Sequence, residues 1–582
     1  MKFPKLRSAA LSRQTVDVFG GYNHNLRIGE NEFYEMVNMS SDGYPVLSPR
    51  KGRGSLPTAG TVTGLVSNQG LCRVEEGRFL LPDGRALASG LDSRPKTLIS
   101  MGAYVIILPD KKWVNVAACM EGAEEDVTGD MEASCQISTI NPCKANGEKL
   151  DNGALAVKKP ADPEDGKLWM DMSLWPPVLR KWCVETGLWE EEKSYVRLEC
   201  PGIGELFEKG DGLVADFLEF HNDSPYIHVY IPENPTVVET GEDFIVVGGV
   251  STNGVAAESV GGYTASRSVP DMDYVFECGN RLWGCKYGIT QNGFVNEIYA
   301  CKLGDFKNWH SFQGISTDSY VASIGADGPF TGAISYQGHP VFFKEDCVIE
   351  VFGSYPAEFR LQVTPGDGVQ QGCHKSLAIV NNILYYKSKA GICAFDGSLP
   401  VQAGQALGQV FYKNAASGAL GSKYYISMEG DTGWSLFVFD AARGLWHRED
   451  GLQVLQFCTA GNILYCLTAE GIVTVGGNHE GEPVSWLLQT GDVGLSLPEM
   501  KYISRLSVRL QLDIGARVSF YVRYDHAPGW EHLFTLYGTD LHSFSVPIRP
   551  RRCDSMQLKL EGVGEAKVYS VTKVIERGSE PW

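Results

Sequence analysis

The 582-residue sequence holds no run approaching the roughly 18 to 20 consecutive apolar residues that a membrane-spanning helix needs, which excludes a helical span. Its opening, MKFPKLRSAALSRQTVDVF, is basic but has no sustained apolar core. No cleaved secretion signal is expected from it, and the chain is read as made and kept inside a cell. The fifteen cysteines include no CxxC pair and are scattered singly, so reduced, mostly buried thiols are expected rather than a disulfide framework. The eleven histidines show neither HxxxH nor HExxH spacing, and Cys135 and Cys143 have no second pair. No metal site and no cofactor is expected on that ground. GxSxG, GxxxxGK[ST] and GxGxxG are missing as well, and with them the local signatures of several enzyme classes. The seventy Asp and Glu make any carboxylate pair uninformative, and the chain is read as not an enzyme.

Glycine (66) and aromatic residues (11%) are both plentiful. Val, Ile, Tyr and Phe gather into short runs between Gly, Asp, Asn and Pro, the pattern of many short strands joined by tight turns. The chain is therefore predicted to be all-β. One phrase recurs: NRLWGCKYG from Asn280, GHPVFFKED from Gly338, NNILYYKSKAG from Asn381, GSKYYISMEG from Gly421 and GNILYCLTAEG from Gly461. Leu282, Val341, Leu384, Tyr424 and Leu464, at their centres, are spaced by 59, 43, 40 and 40 residues, a period close to forty. A second phrase follows in most copies, as in VIEVFGSYP, GICAFDGSLP and SLFVFDAARGLWHRED. Strands turned back every forty residues are the sequence form of a four-stranded propeller blade, in which stacked neighbours bury both faces of each sheet. About six blades are expected, with five or seven possible. DSYVASIGADGPFTG, from Asp318, is glycine-rich but follows no strand-to-helix pattern, and reads as an inter-blade loop rather than a phosphate cradle.

The expected organisation is an extended N-terminal arm over 1–60, a first blade over 61–116, an acidic β-rich insertion over 117–270, the remaining blades over 271–480 and a C-terminal β-sandwich over 481–582. Between Ala117 and Val250 stand 27 Asp and Glu against 10 Lys and Arg, so nearly all of the net charge of −19 lies there. Such a segment must project into solvent. VLRKWCVETGLWEEEKSYVRLECPGIG, with a turn at Glu185 to Gly187, PYIHVYIP and DFIVVGGV read as its strands. EGAEEDVTGD lacks the ligand spacing of a calcium loop and reads as a solvated face. In the tail, SRLSVRLQL, RVSFYVRYD and SMQLKLEG alternate as antiparallel strands with one buried face do. Trp530 and Tyr524 there read as core or rim rather than as a saccharide platform.

The stretch VDVFGGYNHNLRIGENEFYEMVNMSSDGYPVLSPRKG resembles the opening of propeller-bearing virion proteins of tailed bacteriophages, the group of tail nozzle, packaged-DNA stabilisation and head-to-tail connector proteins. FGG with Asn23, GENEFYEMVNM and DGYPVLSPRKG carry the likeness, with NRLWGC, IYACKLGDFKNW, FFKED, GSYP, GICAFDG, WHRED and RRCDSMQLKLEGVG further on. The resemblance implies a structural virion component at the connector or tail. It would assemble as a homo-oligomeric ring beside portal, connector or tail proteins, with double-stranded DNA passing through non-specifically. The rival expectation is a carbohydrate-binding or carbohydrate-active propeller protein. The SxDxGxTW turn of sialidase-like propellers is absent, since SSDGYPVL departs after its glycine.

Residues 1–60 hold eight Lys and Arg against five acids, a charge of +3 in a chain whose remainder is −22. The arm is expected to strap onto a neighbouring subunit through Arg50, Lys51 and Arg53, with Pro45 and Pro49 fixing its path and Asn23 and Asn38 beside it. Local pairing on the propeller rim is the alternative. An acidic body lets DNA slide, so DNA binding is expected to be weak and salt-sensitive at most.

Overall fold

The structure is a computed structural model that describes residues 11–151, 155–156, 158–174, 176–214, 218–219, 229–231, 234–251, 258–259, 263–290, 293–477, 483–494 and 500–577. It is all-β, with 4% helix and 55% strand. The chain divides into two compact units, one of residues 1–95, 343–348 and 364–582, the other of residues 96–342 and 349–363.

The first unit carries four consecutive propeller blades. Each is a four-stranded antiparallel meander, and their first strands (Ala378–Val380, Lys413–Leu420, Gln456–Ala460 and Val62–Ser67) lie side by side in that order. The recurring phrase falls on the second strand of each repeat, at Ile383–Ser388, Lys423–Gly430 and Ile463–Thr468. These strands are buried on both faces: Leu384, Tyr386, Tyr424, Ile426, Leu464 and Cys466 are fully enclosed on one, and Tyr385, Tyr425 and Leu467 are buried on the other. Two-residue loops open the hairpins, as at Asn381–Asn382, where both φ are positive (50° and 63°). That is the turn whose twist matches paired strands, and Asn tolerates it better than most residues.

The blade over 456–475 has only three strands of its own. Its fourth, Gly54–Leu56, comes from the N-terminal segment and pairs antiparallel with Gly471–Val475. Two more N-terminal strands are built into the tail's eight-stranded sheet: Leu11–Val16 pairs with Ala566–Arg577, and Phe33–Val37 with Ser485–Thr490. The segment read as an extended arm is thus woven into the unit over 11–56. Lys2, Lys5 and Arg7 lie outside the described residues. In the tail, the strand Lys501–Tyr524 pairs with Ala566–Arg577 over its first half and with Met556–Val563 over its second. Its alternating burial follows the expected period of two.

The second unit carries two adjacent blades, over 97–130 and 274–323, and a further meander runs from Gly332 to Pro365. Meanders of this kind number seven among the described residues, within the expected five to seven. The stretch 61–116 corrects to one whole blade (62–89) plus three strands of the next. That second blade takes its fourth strand, Thr128–Asp130, from beyond a short helix, Val116–Glu121, capped by the Asn115 side chain. The insertion therefore begins after Asp130. Its outgoing strand Ala133–Gln136 pairs with its returning strand Thr264–Arg267, so one hairpin-like stem carries the module. Beyond the stem, a five-stranded sheet buries Ile140, Val196, Leu198, Ile245 and Val247 in one core. Of the expected strand PYIHVYIP, only Val229–Ile231 falls within the described residues. Cys135 and Cys200 form a disulfide there, a correction to the expectation of reduced thiols throughout. Thirteen cysteines remain free and eleven of those are buried.

Candidate functional site

Arg50 and Arg53 face carboxylates of their own chain. The Arg53 guanidinium donates to Glu449 at 2.6 Å and to Asp450 at 2.7 Å, while Arg50 reaches Asp450 at 3.3 Å and Glu449 at 3.5 Å. Burial pushes the Asp450 carboxyl up, but the two guanidinium groups outweigh it and hold the carboxyl below the usual range. Asn38 sits at φ 57°. Its side-chain oxygen accepts from Arg50 Nε at 2.9 Å, and its amide donates to the Ser485 carbonyl at 2.8 Å. Pro49 pairs with Met39 in a two-stranded ladder, Pro45 follows in the same turn region, and Asn23 donates to Glu32 at 2.9 Å. Arg50 and Arg53 line a cleft of about 520 Å³ together with Asp42, Lys51, Lys423, Tyr425 and Asn462. Lys51 is exposed there. The effect of the Arg50 and Arg53 pairings is to seat the closing strand Gly54–Leu56.

Other candidates from the sequence are accounted for by their neighbours. The Asp318 carboxylate fills the nest of backbone N–H groups of Gln313, Gly314 and Ile315, at 2.6 to 3.0 Å. Arg523 and Lys559 lie over the Trp530 ring at 4.6 and 5.0 Å, and Arg551 lies over Tyr524 at 5.1 Å.

The arrangement with the clearest capacity for a ligand is on the insertion. Leu168–Asp171, Val178–Cys183 and Leu188–Glu191 form consecutive antiparallel strands. One face of this sheet is apolar and packed: Met170 and Leu179 are buried with Leu155 and Val250, and Leu168 joins them. Strand alternation then sends Trp169, Asp171, Arg180, Trp182, Trp189 and Glu191 to the other face. Register aligns them across the strands, Trp169 opposite Arg180, Arg180 opposite Glu191, and Trp182 opposite Trp189. A four-residue loop sets that last pair, with Gly187 at φ 65° donating back to the Cys183 carbonyl at 2.9 Å.

Trp189 is the hub, 5.3 Å from Trp169 and 5.4 Å from Trp182 between ring centroids, with steep interplanar angles. Edge-to-face packing of this kind holds the rings in place. All three remain half-exposed. Their indole N–H groups have no hydrogen-bond partner among the described residues, so each presents an apolar ring and a free donor. Arg180 Nε donates to Asp171 at 2.8 Å. The Ser173 hydroxyl and the Arg180 guanidinium hold the Asp171 carboxyl below its usual range. Lys159 lies 5.3 Å over Trp169. The sequence reading placed the turn at 185–187 but did not draw its consequence, that residues equidistant from the turn, Trp182 and Trp189, stand opposite each other. Trp169 arrives from a third strand and left no local signal.

No family model and no curated protein matches the chain. Solved structures similar to it include an exo-β-1,3-galactanase from Phanerochaete chrysosporium with galactose, at 10% identity and a TM-score of 0.22, over 51% of this chain and 94% of that one. A glycoside hydrolase of family 43 engineered to display endo-xylanase and exo-arabinofuranosidase activity matches at 11% identity and 0.19, over 52% and 96%. A family 43 arabinoxylan arabinofuranohydrolase from Bacillus subtilis, in complex with cellotetraose, matches at 10% and 0.14, over 73% and 97%. These similar structures are glycoside hydrolases, which runs against the expectation of a virion component at the connector or tail and that of a protein that is not an enzyme. At such TM-scores the likeness carries no argument about what this chain itself acts on.

Proposed function

We propose that the chain binds carbohydrate and that the tryptophan face of the insertion is the binding surface. The observation that carries this reading is the placement of Trp169, Trp182 and Trp189, half-exposed on one side of a sheet whose other side buries Met170 and Leu179 in a core. Pyranose rings offer C–H faces that lie on aromatic rings, and hydroxyl groups that need planar donors and acceptors at the edge. Arg180, Asp171 and Glu191 supply that edge on the same face. The excess of acids over bases in the insertion repels polyanions, which favours neutral glycans.

Glycan-array screening followed by calorimetry tests the reading. Buried aromatic anchors dominate binding energy at protein surfaces, so Trp182→Ala and Trp189→Ala are each expected to weaken binding about tenfold or more, ~1.4 kcal/mol. Arg50→Ala, in the other unit, is expected to leave it unchanged. An intact protein that binds no glycan, or tryptophan variants that bind as tightly as the parent, would overturn the proposal.

A further inference from the structure

Lys387 is 2% exposed and lies on a strand, Ile383–Ser388, buried from Leu384 to its end. A buried ammonium is normally matched by a carboxylate. Lys387 has none among the described residues: its Nζ donates to the Gln370 side-chain oxygen at 2.7 Å and to the Ser388 carbonyl, both neutral acceptors. The thiols of Cys373 and Cys393 lie nearby, but burial raises both and keeps them neutral, while burial draws the lysine below its usual range. An ammonium has three donors, and two are used.

The same lysine lines a cleft of about 320 Å³ whose other walls include Ile392, Leu407, Phe411, Tyr412 and Met428. Nζ lies 5.7 Å from the Phe411 ring centroid, and Phe411 is 56% exposed at the cleft's edge. At the rim Lys389 is paired with Glu345 at 2.7 Å and so does not compete as a cation. Gln402, Gln405 and Gln409 add polar groups to the same lining, and a small cleft of mixed polarity with a buried ammonium on its wall has the complement of an amphipathic anion.

We propose that this cleft binds a small aromatic monocarboxylate, its carboxylate taking the third donor of Lys387 and its ring lying among Phe411, Leu407 and Met428. The site belongs to the propeller, not the insertion, and is independent of the carbohydrate reading. Its size suits about ten to a dozen non-hydrogen atoms, at the lower end of ligand pockets. The bound carboxylate supplies the countercharge that the fold lacks, so binding favours the protonated lysine and weakens as pH rises through its titration.

The test is calorimetry on the full chain with 3-phenylpropionate, and with 3-phenylpropionamide as the uncharged control. Saturable binding of the acid is expected, with at least about tenfold weaker binding of the amide, the scale of a charge-assisted hydrogen bond. Lys387→Met, which keeps the length of the side chain, is expected to reduce the acid's affinity to that of the amide, and Phe411→Ala to weaken both ligands. The acid's affinity is expected to fall with rising pH before the ordinary lysine range, near 10.4, is reached. Absence of saturable binding at millimolar acid, or equal affinity for acid and amide, overturns the proposal. The comparison of ligands decides the matter even where a variant fails to fold.

Discussion

Arg53 is 11% exposed and holds two carboxylates, one of which, Glu449, is 6% exposed. Removing it leaves Arg50 alone, at 3.5 and 3.3 Å, to match the buried Glu449 and the partly exposed Asp450, so the cost is expected to stay below the about 3 to 5 kcal/mol of a fully broken buried pair. Arg53→Ala is expected to lower the denaturant midpoint accordingly, and Arg50→Ala, whose contacts are longer, to lower it less. Equal midpoints for Arg53→Ala and the parent would show that the clamp is ornamental. Acid acts on several groups in turn. His447 is pushed down to about 4, by burial and then by Lys423, and His374 to about 4, by burial and then by Lys375. The unfolded chain therefore binds more protons than the native one between the ordinary histidine range, near 6.5, and about 4, so stability falls as pH drops through that window. Asp450 follows lower down. Its native carboxyl is held below its ordinary value, so its contribution is complete above about pH 4 and lost as pH falls through the native value. Urea titrations from pH 7 to 3 are expected to show the decline beginning near pH 6.5. A flat profile down to pH 4 would contradict the histidine assignment.

At the scale of the element, the strand Gly54–Leu56 matters more than its length suggests. It is the outer strand of a blade and covers the edge of Gly471–Val475, whose unpaired N–H and C=O groups would otherwise be a template for another chain. A chain beginning at residue 57 would also lose the edge strand Leu11–Val16 and the pairing of Phe33–Val37. Such a truncation is expected to aggregate on concentration, as read by light scattering, while Lys51→Ala, at an exposed position on the same segment, is expected to remain monodisperse relative to the parent. The tryptophan hairpin is the opposite case, an element set locally. Gly187 needs a positive φ, and Gly187→Val is expected to disturb the Trp182 and Trp189 pairing and weaken glycan binding while leaving the propeller's unfolding transition in place.

For the molecule as a whole, charge distribution sets the expected dependence on salt. The insertion concentrates the acids, and the tryptophan face within it pairs Arg180 with Asp171. Binding of a neutral glycan is expected to change less than about twofold between 50 and 500 mM salt, since screening acts on charge and not on ring stacking. A steep salt dependence would point to an anionic ligand instead. The sequence determined what is local: all-β class, blade-sized repeats with the central strand at Leu384, Tyr424 and Leu464, and the alternation of the long tail strand. Each is a consequence of side-chain period and turn residues within a few positions of one another. Arg50 and Arg53 were legible as unusual, a basic cluster in an acidic chain, but their partner was not, because Asp450 lies 397 residues from Arg53. The boundary at Asp130 was hidden by a helix that interrupts a blade, and Lys387 read as one polar residue within ILYYKSKAG. Only the tertiary structure decided that the last blade closes with an N-terminal strand, that Trp169 joins Trp182 and Trp189, and that Lys387 meets no carboxylate among the described residues. The reason is physical: which distant segments pair, and what a buried charge meets, depend on contacts between segments that carry no shared local pattern.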